Sequence, residues 1–329
     1  MAYLMLRMIA LALCATLLNF APAEADAQTD PRFEAVQKRS GPFGLMGGRE
    51  RLGYGRLTTN DLFGDGEDRW RTGSLTTSRV WGYGWDGQAP SRFGDVIELR
   101  LQGQIIAPED LVNVNLADRP WAGSLSAGLH SHFMLGQLDL SVGGDIVVIG
   151  PQTNLDDLQD TIHQVINVRS PSDNVLNNQI GNRIRPTLVL EAGRSFRWSD
   201  RVRARPFVEG RAGDETLVRV GADLTFGVLG LDDLMVRESI SGQRYRAIKG
   251  ENEGLSFVLG ADIAHVFDSV YLPEERGYQL EETRERIRLG FQYQKSGTGI
   301  FYGVTWLGEE FVGQTEDQLV GSLKLDIRW

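Results

Sequence analysis

The sequence predicts an all-β fold: a transmembrane antiparallel β-barrel of about 12 strands, of the outer-membrane type. Three observations carry that expectation. Apolar and polar residues alternate with period two, again and again, from Arg51 onward. No later stretch matches the run of about 18 apolar residues that a spanning helix needs, so a membrane crossing would have to use a closed barrel. In the final segment Leu323, Leu325, Ile327 and Trp329 alternate with Ser322, Lys324, Asp326 and Arg328, which gives an amphipathic strand ending on an aromatic residue.

The N-terminal segment gives the address. Arg7 precedes an apolar run from Met8 to Leu18, and Ala25-Asp26-Ala27 supplies small residues before Gln28. This is the pattern of a secretory signal peptide over residues 1–27, too short and wrongly flanked for a spanning helix. Cys14, the only cysteine, lies inside it, so the mature chain has no thiol for disulfides, zinc sites or nucleophilic catalysis. Removing the segment, with Arg7, Glu24 and Asp26, changes the formal charge from −10 to −9. An acidic chain is a poor match for phosphate backbones, so no nucleic-acid partner is expected. Residues 28–50 are polar and aperiodic and read as a flexible leader, leaving 51–329 as the barrel domain.

Within that domain the alternation is regular. Ile97, Leu99, Leu101 and Ile105 oppose Glu98, Arg100, Gln102 and Gln104; Leu138, Leu140, Val142, Ile146 and Val148 oppose Gln137, Asp139, Ser141 and Asp145. A soluble β-sandwich also alternates, but over shorter strands and with its apolar face inward. Long runs whose polar faces carry repeated Arg, Glu, Asp and Gln favour the barrel. The strands are expected at 51–59, 72–85, 95–106, 121–133, 136–149, 184–198, 202–212, 215–228, 254–267, 284–295, 299–307 and 318–329. The outer loops are then 60–71, 107–120, 150–183, 213–214, 268–283 and 308–317, mostly long, whereas turns such as Met134-Leu135 and Ser199-Asp200-Arg201 are short. The connection 229–253 breaks this pattern, and the alternation assigns it no role.

The outer loops hold the candidate chemistry. The stretch Asn60-Asp61-Leu62-Phe63-Gly64-Asp65-Gly66-Glu67-Asp68 gathers oxygen ligands in one turn, and Thr72 begins the next strand on the same face as Ser74, Thr76 and Ser78, which predicts a lumenal Thr72. A hydrated turn is the competing reading, and the spacing is not that of an EF-hand loop. In the longest loop, Thr153 or Asn154 is a candidate N-cap followed by Asp156 and Asp157, which predicts a short helix with Gln159 and His163 on one face. Taken without its context, His163 reads first as a solvated loop residue. His130 and His132 share a strand face and are expected to hydrogen-bond within the lumen, and His265 belongs to an apolar face. No Gly-x-Ser-x-Gly elbow is present.

These motifs resemble those of the outer-membrane lipid A 3′-O-deacylase (LpxR-type) family. The matching pieces are Asn60-Asp61, Asp68-Arg69-Trp70-Arg71-Thr72-Gly73, Gly103-Gln104, Ala107-Pro108-Glu109-Asp110, Asp118-Arg119-Pro120-Trp121-Ala122-Gly123, Gly150-Pro151, Leu158-Gln159 with His163, and Glu310-Phe311-Val312-Gly313-Gln314. The resemblance implies a twelve-stranded barrel in the outer membrane of a Gram-negative bacterium, hydrolysing the 3′-linked acyloxyacyl ester of lipid A with Ca²⁺. Lipid A or lipopolysaccharide would be its substrate, outer-membrane lipids its surroundings, and the monomer its working state. It further implies that His163 activates water with help from Gln159, that Asp61 and Thr72 hold Ca²⁺, and that Asn60 supports the oxyanion. The chain departs from the family where a glutamate follows a Gln-Leu pair, because 174–183 has no acid after Gln179. A non-catalytic barrel, a relative acting on another lipid ester and a soluble polysaccharide-binding sandwich are the alternatives.

Overall fold

The computed structural model describes residues 47–326. The signal peptide, most of the leader and the terminal Trp329 lie outside the described residues. Twelve barrel strands follow the predicted order closely. They are β1 (Glu50–Asn60), β2 (Trp70–Gly82), β3 (Val96–Ala107), β4 (Ala122–Leu135), β5 (Leu138–Ile149), β6 (Arg183–Gly193) continued by β7 (Phe196–Ser199), β8 (Val202–Ala212) and β9 (Glu215–Gly227). After a short hairpin of β10 (Leu234–Arg237) and β11 (Arg244–Ile248) come β12 (Gly254–Ser269), β13 (Thr283–Lys295), β14 (Thr298–Leu307) and β15 (Gln318–Asp326).

Every barrel strand pairs antiparallel with its neighbours. β1 meets β15, and β6 meets β8, so the sheet closes and no edge remains. β6 and β7 form one barrel strand in two pieces. The break falls where the Arg205 guanidinium crosses Gly193, 2.2 Å from where a Cβ would stand. Outward side chains are apolar and exposed, as in Leu188, Val220, Phe257 and Leu289. Inward ones are polar and buried over most of the wall, as the alternation requires, apart from Leu57, Val80 and Phe301. The turn after β4 is Gly136-Gln137, with Gly136 at φ 63°, so β4 runs two residues further than predicted.

The connection 229–253 has a definite structure. It re-enters the barrel as the β10–β11 hairpin and lies against the lumenal wall. Gly53 and Gly55 leave the room it needs, since a Cβ on either would stand 2.1 Å from the Ala247 carbonyl or 2.7 Å from that of Arg246. One face of the hairpin, with Val236, Tyr245 and Ala247, packs on Leu57, Val80 and Phe301. The other face is ionic: Arg237 binds Asp223 and Glu191, each at 2.8 Å, and Arg288 binds Asp223 at 2.9 Å. At its tip, Arg286 donates to the carbonyls of Ser239 and Ile240 at 2.7 and 3.0 Å. His130 and His132 belong to the same lumenal lattice, through Asp145 at 2.9 Å and Glu98 at 2.7 Å, as expected of hydrogen-bonding rather than metal-binding residues. Glu98 also accepts from Ser78, which contacts the Tyr245 hydroxyl at 2.6 Å, so the wall histidines are linked to the hairpin. Above the hairpin tip a polar cavity reaches a second ionic lattice at the rim, where Arg71, Arg119 and Arg284 surround Glu310. Burial alone would push the Glu310 carboxyl up, but the three guanidinium groups hold it below the usual carboxylate range.

Candidate functional site

The site forms where β1 ends, β2 begins and the long loop lays a helix against the outside of the wall. Asn60 ends β1 in extended backbone, and its Oδ1 accepts from Leu62 N at 2.9 Å, capping the 3₁₀ turn Asp61–Phe63. Its Nδ2 donates to the Thr72 carbonyl at 2.6 Å, which fixes the side chain and leaves its second N–H unspent in that bond. Asp61 is buried, with Oδ2 accepting from Arg69 N at 3.0 Å. Burial pushes its carboxyl well above the usual range, and the nearby carboxylates of Asp68 and Asp65 push the same way.

A β-bulge then changes the expected direction of Thr72. Trp70 pairs with Ala107 and Gly73 with Ile105, so one more residue lies on β2 than on β3, and Trp70 takes φ 50°. Arg71 reaches inward to Glu215 and Glu310, while Thr72 sends its hydroxyl to Asp68 Oδ1 at 2.5 Å. The strict alternation that put Thr72 in the lumen fails at this point, and Thr72 joins the site on the other side of the wall.

The loop helix α1 spans Leu155–Ile166, with Asp156 and Asp157 in its first turn as predicted. Asn154 precedes it in the left-handed region without a side-chain cap, and Thr153 instead donates to the Gly150 carbonyl at 2.8 Å. The helix packs on the outward face of β4 at Gly123, where a Cβ would stand 2.9 Å from Leu155 Cβ. Its buried face carries Leu155, Gln159 and His163. The Trp121 indole N–H donates to Gln159 Oε1 at 2.8 Å, anchoring the helix one turn before His163. We expect Trp121→Phe, which keeps an aromatic six-membered ring but deletes the indole N–H and with it this bond worth about 1 kcal/mol, to loosen the helix that carries His163 and to lower the protein's activity several-fold while the barrel still folds. Steady-state kinetics together with heat-modifiable gel mobility would check this.

His163 Nδ1 lies 2.9 Å from the Arg169 carbonyl, and Nε2 lies 3.2 Å from Asp68 Oδ2. A carbonyl and a carboxylate can only accept, so the two contacts together are those of the doubly protonated ring; Nδ1 keeps its proton against the Arg169 carbonyl, and Nε2 is the nitrogen that is bare in the neutral ring and can take one up. Asp68 thus joins Thr72 to His163 through its two oxygens. The sequence reading placed Asp68 in a motif but gave it no role. The available signal was its position four residues before Thr72, at the end of the acidic turn.

The Asp118–Gly123 element is scaffold for this arrangement. Asp118 accepts from the Trp70 indole at 3.3 Å and from Glu109 N at 2.6 Å; Arg119 is buried against Glu310; Trp121 holds Gln159. The five residues singled out in the sequence, Asn60, Asp61, Thr72, Gln159 and His163, therefore all border one region, between α1 and the first two strands.

The sequence profile of the outer membrane protein LpxR family matches residues 11–329. The chain belongs to this family. Its structure is similar to that of LpxR from Salmonella typhimurium, with a TM-score of 0.69 at 17% identity over 84% of this chain and 99% of that one. The β domain of the Bordetella autotransporter BrkA is a more distant likeness, with a TM-score of 0.41 at 9% identity over 84% and 99% of the two chains. No curated protein sequence is significantly similar to the chain. Family and fold together place this LpxR-family barrel in the Gram-negative outer membrane.

The Ca²⁺ that the family resemblance implies fits the residues present. Calcium takes six to eight oxygen ligands, carboxylates, carbonyls and water among them. The site offers the Asp61 and Asp68 carboxylates and the Thr72 hydroxyl, and a cation would offset both the burial that chiefly raises the Asp61 carboxyl and the repulsion from Asp68 that adds to it. Among the described residues no three acidic or histidine side chains converge into a complete metal cage, so carbonyls and water would complete the shell.

Proposed function

We propose that the chain is a lipid A deacylase that hydrolyses the 3′-linked acyloxyacyl ester in the outer leaflet. The supporting observation is the chain of contacts Thr72–Asp68–His163 beside Asn60, on the outward face of the wall at the rim, where an ester can arrive sideways from the leaflet.

The residues divide the reaction as follows. The Arg169 carbonyl holds the imidazole by Nδ1, leaving Nε2 to take a proton from water as the water oxygen attacks the ester carbonyl. The second Asn60 N–H donates to the developing oxyanion. When the tetrahedral species collapses, the imidazolium returns the proton to the departing sugar oxygen, giving the free acid and the 3′-hydroxyl. Gln159, held by Trp121, positions the helix that carries His163. Asp61 and Thr72, with Asp68, would hold Ca²⁺, which when bound supplies positive charge to the oxyanion. No side-chain nucleophile is required.

The test is mass spectrometry of lipid A exposed to the purified protein with Ca²⁺ and with a chelator. Loss of the 3′ acyloxyacyl mass is expected only with Ca²⁺. Asp61→Asn keeps the shape and removes the charge, and is expected to raise the Ca²⁺ concentration for half-maximal activity at least tenfold. Equal activity of wild type in Ca²⁺ and in chelator would sink the metal assignment, and an unchanged lipid A mass under all conditions would sink the deacylase reading.

A further inference from the structure

The strand register shows a furrow on the membrane face that starts at the site. Outward residues of β2 to β5 lie in rows: Gly73 beside Ile105, Leu75 beside Gly103 and Leu125, Leu101 beside Ala127 and Ile146, and Leu129 beside Gly144. Stepping one strand over and one row down each time gives Gly73, Gly103, Ala127 and Gly144. The diagonal above it reads Ile105, Leu125, Ile146, and the one below it Leu75, Leu101, Leu129. A floor of small residues therefore runs between two walls of branched aliphatic ones.

The floor is open toward the membrane. A Cβ at Gly103 would meet only Leu125 Cδ2, at 3.3 Å, and one at Gly144 would meet nothing closer than 3.7 Å. Leu101, Leu125 and Ile146 project 40%, 40% and 51% exposed on either side. The upper end abuts the site, since the Cβ position of Gly73 lies 3.0 Å from Asn60 Nδ2, the group assigned to the oxyanion. From row and strand spacings each step is about 8 Å, so three steps span about 25 Å. One leaflet of a roughly 30 Å hydrocarbon core is about 15 Å deep, so an inclined furrow of that length holds a whole acyl chain. No charged side chain enters the floor or either wall, which excludes a headgroup.

Resting on the deacylase reading, we infer that this furrow receives the primary acyl chain of the acyloxyacyl group being released and that Gly103 is a specificity-determining residue. The ester carbonyl sits at Asn60, and the chain runs over Gly73 and Gly103 into the leaflet. A side chain at Gly103 would block it one step below the carbonyl, beyond the reach of a very short acyl group.

The experiment compares purified wild type with Gly103→Leu in detergent and Ca²⁺, on a myristoyl and a butyryl ester of the same glucosamine headgroup. The ratio of kcat/KM for the myristoyl to the butyryl ester is expected to fall about tenfold or more in the variant, chiefly through KM for the long chain. Ala127→Leu, one step deeper, is expected to shift the ratio less. Leu289→Trp on the far wall, equally lipid-facing, is expected to leave it unchanged, and heat-modifiable mobility confirms folding of each variant. An unchanged ratio in Gly103→Leu, whether both rates fall together or neither does, overturns the furrow while leaving the deacylase reading standing. Wild type that cleaves lipid A but neither ester overturns the furrow alone, and wild type that leaves lipid A intact as well overturns that reading and the furrow's role with it.

Discussion

His163→Ala is expected to cut lipid A deacylation by about 10²–10⁴-fold, the usual contribution of a positioned general base, with no loss of barrel folding. The side chain sits on a loop helix outside the barrel wall and makes two polar contacts, to the Arg169 carbonyl and to Asp68. Removing it takes nothing from the strand ladder or from the lumenal ion pairs. KM should change little, because the imidazole is assigned to proton transfer and not to holding the lipid. His163→Gln discriminates further: it can still hydrogen-bond toward Asp68 but cannot cycle a proton, so it should be nearly as inactive as alanine. Mass spectrometry of lipid A from cells expressing each variant, with barrel content checked by gel mobility, measures both quantities. Wild-type deacylation by His163→Ala would remove the base from the mechanism.

Most of the barrel was legible because its strands, each of nine or more residues, answer to one rule, polar inward and apolar outward, with Leu57, Val80 and Phe301 as inward apolar exceptions under the hairpin. The rule fails where its physical basis fails. At Trp70–Gly73 a bulge adds a residue, and Thr72, expected in the lumen, turns to Asp68 instead. In 229–253 the strands are only four and five residues long, and neither side faces lipid. One face of that hairpin meets lumenal apolar side chains and the other meets lumenal ions, so a charged segment read as a long loop is in fact interior. The site was legible as a set of residues but not as a set of contacts. Asn60, Asp61, Thr72, Gln159 and His163 were all named, yet the group that links them, Asp68, is visible only once α1 is seen packed on Gly123. No local pattern states that a helix in one loop will reach an acid in another.

Deleting the β10–β11 hairpin, by joining Gly230 to Glu251 through a short Gly-Ser linker, is expected to turn a silent barrel into a conducting one. Wild type should show no steady single-channel current, because the hairpin backbone lies on β1 at Gly53 and Gly55 and its side chains meet the wall on both faces. The deletion removes Arg237, Glu238 and Arg246 from the lumenal lattice and leaves Asp223 and Glu191 paired only with what remains of their arginines. It also bares Leu57, Val80 and Phe301 to lumenal water. Truncating one partner of a buried ion pair typically costs about 3–5 kcal/mol, so the variant should unfold at clearly lower urea than wild type while keeping its closed strand ladder. The outer site depends on β1, β2 and α1 rather than on the hairpin, so deacylation should fall far less than it does in His163→Ala. Planar-bilayer recording, urea titration and lipid A mass spectrometry on one preparation separate these effects. A deletion variant as silent as wild type would show that the rim lattice of Arg71, Arg119, Arg284 and Glu310, rather than the hairpin, seals the barrel.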